Sequence, residues 1–99
     1  MQRVYITLQG DNKIAIHNLN SETGNLTHQE DISTPGGPAP FAVSPDNKRA
    51  YIGLREVNKM ASFDIDSTSG ALKPIGTVNL ESDPCYVSVD NTGRHLLSA

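Results

Sequence analysis

The feature that most constrains this chain is an internal repeat. The segment Val4–Leu8 is echoed by Ala50–Leu54, an offset of 46 positions (50 − 4). A repeat of about 40–50 residues suits either a blade of a β-propeller or a two-helix unit. The same offset relates five further matches: Asn12-Lys13 to Asn58-Lys59, Ala15 to Ala61, Ser21 to Ser67, Gly24 to Gly70 and Leu26 to Leu72.

A second echo predicts the start of a third unit. Asp46-Asn47 recurs as Asp90-Asn91, and Val43-Ser44 recurs as Val87-Ser88, both at an offset of 44. Pro40 and Pro84 fit the same spacing, and so do Phe41 and Cys85. One loop of the third unit is therefore expected to differ in length by two residues.

The pattern inside the repeat favours strands over helices. The apolar runs are short, β-branched and bounded by Gly, Pro, Asn and Asp, and no stretch of ten residues keeps the apolar spacing of a helix. The predicted strands are Arg3–Leu8, Lys13–Leu19, Leu26–Ser33, Pro40–Ser44, Arg49–Leu54, Lys59–Ile65, Leu72–Asn79, Tyr86–Val89 and His95–Ser98.

Four strands per repeat predict an all-β fold, part of a β-propeller with four-stranded antiparallel blades. With the strands lettered A to D from the propeller axis outward, the chain reads B-C-D, A-B-C-D, A-B. The predicted units are residues 1–39 (a first blade without its inner strand), 40–83 (a complete blade) and 84–99 (the start of a third). Both end strands expose unpaired backbone groups. We therefore expect a piece of a longer propeller, whose open edges pair with the remaining blades or with other copies of the chain.

Composition excludes several classes of function. A formal charge of −3 and a pI of about 5.4 argue against a nucleic-acid or anionic-membrane surface. No apolar run is long enough for a membrane-spanning helix. A single cysteine, Cys85, excludes an internal disulfide, and no Cys-x-x-Cys or His-x-x-x-His spacing indicates a metal site. With no signal peptide visible, the expected location is the cytoplasm.

Four segments carry a family resemblance: Val4–Ile6, Ile14–Leu19, Val43–Arg55 and Ser69–Leu72. Together they resemble the opening of the bacterial seven-bladed propeller lactonases of the 6-phosphogluconolactonase type. The resemblance implies hydrolysis of a sugar lactone without a metal or organic cofactor, and a lactone or phosphosugar as the small-molecule partner. It also implies that this chain corresponds to the first two blades and part of the third. Residues proposed as catalytic in the family lie in later blades, so none is assigned here.

Arg55 is the candidate substrate-binding residue. In a propeller, the B–C and D–A loops gather on one face, where ligands bind. A guanidinium on that face can bind a phosphate or carboxylate through two parallel hydrogen bonds. The alternative is a loop salt bridge to Glu56 or Asp11. The expected face consists of residues 10–12, 35–40, 55–58 and 82–84.

The other reactive residue types favour structural roles. His17 occupies the position of Phe63 in the next repeat, so we expect a packing residue rather than a general base. His28 and His95 are expected at the surface. Cys85, in register with Phe41, is expected to be a small buried side chain rather than a nucleophile.

Three other functions stay open. A muconate-cyclising relative would use the same scaffold. A non-catalytic binding propeller of the kind built from Tyr-Val-Thr-Asn repeats resembles Ala50–Ile65 loosely. Self-assembly of several copies into a ring would satisfy both open edges.

Overall fold

Three antiparallel sheets follow one another along the chain, in strand order β1-β2-β3, β4-β5-β6-β7 and β8-β9. The computed structural model describes residues 2–99, of which 56% are strand and 6% helix. The all-β fold and the predicted strand phase are confirmed. The strands are β1 Gln2–Leu8, β2 Lys13–Leu19, β3 Leu26–Ser33, β4 Pro38–Val43, β5 Arg49–Leu54, β6 Lys59–Ile65, β7 Leu72–Asn79, β8 Val87–Val89 and β9 Leu96–Ser98.

The predicted bounds of β2, β3, β5, β6 and β7 match the observed ones. The inner strand β4 begins two residues earlier than predicted, at Pro38, which is fully buried. The sequence pattern also missed two short 3₁₀ helices, Gln9–Asp11 and Arg55–Val57, at equivalent positions of the repeat. Each is followed by an asparagine in the left-handed region, Asn12 (φ 53°) and Asn58 (φ 52°). Asparagine tolerates this conformation better than other side chains, which explains why it recurs there.

The predicted offset of 44 for the third sheet is wrong, because the strand register keeps the offset at 46. Val43 pairs with Ala50 in the second sheet, and Val89 pairs with Leu96 in the third. The residue equivalent to Phe41 is therefore Val87, and Cys85 corresponds to Ala39. Asp46-Asn47 and Asp90-Asn91 are identical in sequence, but they lie two positions out of register in the structure.

In the corrected register, a hydroxyl and a carboxylate exchange positions between the hairpin turns of the second and third sheets. In the second sheet, the hydroxyl of Ser44 accepts the Arg49 N–H (3.0 Å) and donates to the Asp46 carboxylate (2.6 Å). In the third sheet, Asp90 stands in place of Ser44, and its carboxylate accepts the His95 N–H (3.2 Å). Thr92 donates its hydroxyl to Asp90 (2.9 Å). The hydroxyl–carboxylate pair is conserved in geometry, with the two residue types interchanged.

The core lies on the β2, β5 and β6 strands. Its largest fully buried side chains are Ile14, Ile16, Ile52 and Leu54, and Phe63 is 3% exposed. β-branched residues fill such positions well because they pack on a pleated surface. Burial of this apolar surface is the main term that holds the sheets together.

The sheets contact each other closely through small or flat groups. The rings of Tyr5 in the first sheet and Phe41 in the second stack with centroids 5.4 Å apart. Between the second and third sheets, a side chain on Gly53 would lie 2.6 Å from Pro40 Cγ and 2.7 Å from Pro84 Cγ. Glycine is therefore required at position 53, since a methyl group would overlap both proline rings.

Candidate functional site

The four predicted loops lie together at one end of the sheets and are joined by hydrogen bonds. The Asn12 carbonyl accepts the Thr34 N–H (2.8 Å), and its side-chain oxygen accepts the Gly37 N–H (2.8 Å). The Gly37 carbonyl in turn accepts the Arg55 N–H (2.9 Å). We call this end, formed by residues 10–12, 34–40, 55–58 and 80–85, the loop end.

Glycines allow the close approach that this network needs. Gly37 has φ +56°, and a Cβ there would lie 3.0 Å from the Glu56 backbone nitrogen and 2.7 Å from its Cγ. Any other residue would therefore push the 3₁₀ helix Arg55–Val57 away from the loop before β4. The same contact fixes the backbone from which the Arg55 side chain projects.

The Arg55 guanidinium lies between the second and third sheets. Its Nη2 atom donates to the Asp83 carboxylate at 2.8 Å and contacts the Cys85 sulfur at 3.5 Å. Its Nε atom is buried and has no hydrogen-bond partner in the described residues. The side chain is 35% exposed, so the guanidinium is still accessible from solvent.

Arg55 forms a salt bridge with neither Glu56 nor Asp11, so both partners expected from the sequence are wrong. The observed partner is Asp83, which occupies the position of Gly37 in the corrected register. A carboxylate at an otherwise small turn position is the signal that could have identified it. Because the pair is exposed, its contribution to the free energy of folding is small, about 0–1 kcal/mol.

Cys85 was expected to be buried because it was aligned with Phe41, and this prediction is wrong. It is exposed beside Arg55 at the loop end. Its backbone N–H donates to the Ala99 carbonyl (2.6 Å), which places it just before β8. The error follows from the offset of 44, which equated it with the ring of Phe41.

The histidines lie away from the loop end. His17 is half-buried and packs edge-on against His28, with ring centroids 5.3 Å apart, and His28 binds the Asp31 carboxylate at 2.8 Å. The bonds from His28 and Lys13 hold the pKa of Asp31 below its usual value. His95 binds Asp90 in the hairpin turn of the third sheet (3.1 Å). Surface positions are thus confirmed for His28 and His95.

The loop end offers one cation, several carboxylates and one thiol. Within residues 2–99 no cluster of three or more His, Cys, Asp or Glu side chains is arranged to hold a metal ion. None of the helices described here could span a membrane. The single guanidinium of the loop end is a group that can bind an anion. No histidine lies among the residues of the loop end.

Comparison with known proteins defines the relatives of this scaffold. The family model described as "Lactonase, 7-bladed beta-propeller" matches residues 3–99. The chain is 34% identical over 98 residues to 6-phosphogluconolactonases of Pectobacterium atrosepticum and Photorhabdus laumondii. Each match covers 99% of this chain and 29% of the relative, so the chain spans less than a third of their length.

Solved structures with low sequence identity share the fold. A periplasmic gluconolactonase from Pseudomonas aeruginosa superposes with a TM-score of 0.89 at 20% identity, covering 98% of this chain and 29% of that one. A protein from Lactobacillus plantarum gives a TM-score of 0.88 at 21% identity, covering 98% of this chain and 31% of that one. At such identities the likeness extends to the architecture alone.

Proposed function

This chain belongs to the family of seven-bladed β-propeller lactonases, and on that premise we propose that it contributes to a hydrolase of phosphorylated sugar lactones, of the 6-phosphogluconolactonase kind. Support comes from the 34% identity to such enzymes over nearly the whole chain. Because the chain spans 29% of those relatives, we propose a partial role for its own residues.

We propose that this role is recognition of the substrate's anionic group by Arg55. The observation that carries the proposal is the position of the guanidinium, exposed at the loop end between two sheets. A phosphate could bind the Nη1 group while Asp83 holds Nη2, or could displace Asp83 and bind Nη1 and Nη2 together. Either geometry gives charge-assisted hydrogen bonds, which are about twice as strong as neutral ones.

We propose that proton transfer belongs to residues outside this chain. Opening a lactone needs a base to activate water and a donor to stabilise the oxyanion. Arg55 can serve as a donor, but Asp83 beside it is already engaged. The 99-residue chain alone should therefore leave 6-phosphogluconolactone to open at its spontaneous rate. Acceleration by the purified chain would show that this division of roles is wrong.

A titration with 6-phosphogluconate, the stable product of lactone opening, tests Arg55 directly. With ³¹P NMR as the readout, Arg55→Ala should weaken binding about tenfold, as expected for loss of a hydrogen bond to a charged group. Arg49→Ala is the matched control, because Arg49 is also an exposed arginine paired with an aspartate, Asp64, but lies at the opposite end. Its effect should stay within about twofold.

Asp83→Asn separates the binding role from a structural one. Removing the competing carboxylate should tighten phosphate binding, because Nη2 becomes available and a like charge is lost. Equal effects of Arg55→Ala and Arg49→Ala, or weaker binding by Asp83→Asn, would assign the Arg55–Asp83 pair to structure alone.

We propose a cytoplasmic location, in which the exposed Cys85 thiol is expected to stay reduced. Alkylation in intact cells followed by mass spectrometry should find this thiol reduced. An oxidised thiol would instead favour the periplasm, where the Pseudomonas aeruginosa relative is placed.

A further inference from the structure

The outer strand β7 gives the second sheet an exposed and uncharged edge. None of the other described strands pairs with its far side. All residues from Lys73 to Asn79 are exposed, with Ile75 at 52% and Val78 at 65%. No charged residue stands between Lys73 and Glu81. A strand edge of this kind, with free backbone groups, is a template for pairing with another strand.

The hydrogen bonds to β6 show which backbone groups of this edge are free. The Gly76 carbonyl accepts the Ser62 hydroxyl of β6 (3.4 Å), and the Leu80 N–H donates to the carbonyl just before β6 (2.8 Å). Successive residues of an antiparallel strand turn their N–H and C=O groups to opposite edges. Residues 76, 78 and 80 therefore face β6, and Thr77 and Asn79 direct their backbone groups away from the sheet.

The outer strand β3 of the first sheet is protected at the same place of the repeat. Asp31 stands 46 positions before Thr77, and its carboxylate binds Lys13 (3.1 Å) and His28 (2.8 Å). Charged side chains on an outer strand are a common means of blocking edge-to-edge pairing. Strand β7 has no such charge at its centre, so its edge is open to a partner.

We infer that β7 pairs in antiparallel orientation with β7 of a second copy of this chain, about a two-fold axis at Thr77. Each Thr77 then lies opposite the other, and Ile75 lies opposite Asn79 of the second copy. Pro74, which has no N–H, and the β-bulge at Ile75 end the regular segment on one side. This register pairs the whole of segment 75–79 with itself.

Side-chain size and charge both fit this register. Val78 lies opposite Gly76 of the second copy, where a Cβ would meet no atom within 4 Å, so the exposed valine fills open space. Lys73 and Glu81 flank the segment, and the two-fold axis brings each lysine near the glutamate of the other copy. Opposite charges across paired strands stabilise them, whereas a parallel arrangement would bring like charges together.

Sedimentation of the 99-residue chain tests the inference. Few residues pair, so we expect a weak dimer that is measured at concentrations up to about 500 μM. Thr77→Lys should raise the dimer dissociation constant about tenfold or more, because two lysines would then lie opposite each other. Thr27→Lys, the same change on the exposed part of β3, is the matched control and should stay within about twofold.

An exchange of charges tests the register. Glu81→Lys should weaken dimerisation about fivefold at low salt, since it places two like charges at each end of the paired segment. Adding Lys73→Glu should restore the original dissociation constant, because the two ion pairs form again in reverse. Failure of the double variant to recover would overturn the inferred register.

A cross-link locates the two-fold axis directly and serves if Thr77→Lys disturbs folding. With Cys85→Ser as the background, Thr77→Cys should form a disulfide between copies, since the Cα atoms of such a pair lie about 5.5 Å apart. Asp31→Cys, at the equivalent place of β3, should not. Equal cross-linking of the two variants, or none at Thr77→Cys, would overturn the inference.

Two further results would also overturn it. One is a chain that stays monomeric throughout the concentration range, or a dimer that Thr77→Lys leaves intact. The other is a dimer that Leu97→Lys dissociates instead, because Leu97 lies on the exposed strand β9 and the association would then belong to the third sheet.

Discussion

The first and second sheets are built from the same sequence pattern but bury it differently. Strand β5 contains Ile52 and Leu54, both 0% exposed, whereas no residue of the equivalent strand β1 is buried. Strand β5 is paired on both edges, with β4 and β6, while β1 pairs only with β2 among the described strands. The comparison shows that the repeat encodes strands, and that their burial depends on what lies on either side.

The largest difference should appear on truncating matched isoleucines. Ile52→Ala should lower the free energy of unfolding by about 3 kcal/mol, because it leaves a cavity in the core. Ile6→Ala, at the equivalent position of the half-exposed strand β1, should cost about 1 kcal/mol. Urea denaturation followed by circular dichroism measures both, with Ile52→Val (about 1 kcal/mol) for the case that the alanine variant does not fold. Equal costs would show that the two strands are equally packed in solution.

A smaller difference is expected for the two equivalent turn glycines. Gly24 (φ +78°) and Gly70 (φ +75°) are both left-handed, but only at Gly70 would a Cβ meet neighbouring atoms, those of Arg3 and Tyr5. Gly24→Ala should cost about 1 kcal/mol of backbone strain. Gly70→Ala should cost about 2 kcal/mol, because it also displaces the side chains of Arg3 and Tyr5, which donate hydrogen bonds to carbonyls of this turn. Thermal melts compare them; a Gly24→Ala cost at or above that of Gly70→Ala would contradict the contact between sheets.

The smallest expected effect is a difference in acid stability between the hairpin turns of the second and third sheets. Burial acts to raise the pKa of Asp90, but hydrogen bonds from Thr92, His95 and Arg94 lower it from 3.8 to about 2. The carboxylate therefore stabilises the fold above pH 4, and this contribution is lost as the pH falls from about 4 to about 2.

Asp90→Asn should accordingly reduce the acid sensitivity of unfolding in that window. The Ser44 hydroxyl and the Lys48 N–H also lower the pKa of Asp46, to a lesser extent. Asp46→Asn should therefore change the pH profile in the same direction but less. Acid titrations at fixed urea concentration compare the two, and a larger effect of Asp46→Asn would contradict the strong lowering of the Asp90 pKa by its hydrogen bonds.

Strand positions could be predicted from the sequence because they depend on local chemistry. Gly, Asn, Asp and Pro mark the ends of most strands, and β-branched residues fill the interiors. The 3₁₀ helices were not predictable, since three residues carry no periodicity. The division of the chain after residues 39 and 83 stays a prediction.

The site was harder to predict because it depends on pairs distant in sequence. That the four loops share one end follows from the strand phase, and the structure brings them together. The partner of Arg55 is 28 residues away, and only the repeat register of 46, rather than a local pattern, singles out Asp83 from Glu56. The wrong prediction for Cys85 has a simpler cause. It rested on matching Asp46 with Asp90, whereas the residues that accept the equivalent turn N–H groups are Ser44 and Asp90.

Gly53 has a consequence for how the second and third sheets meet. A Cβ there would overlap the proline rings of two successive segments, at Pro40 and Pro84. A methyl group inserted at this point would act as a wedge that pushes the segment before β8 off the second sheet. The absence of one carbon atom thus lets the two sheets seat directly against each other.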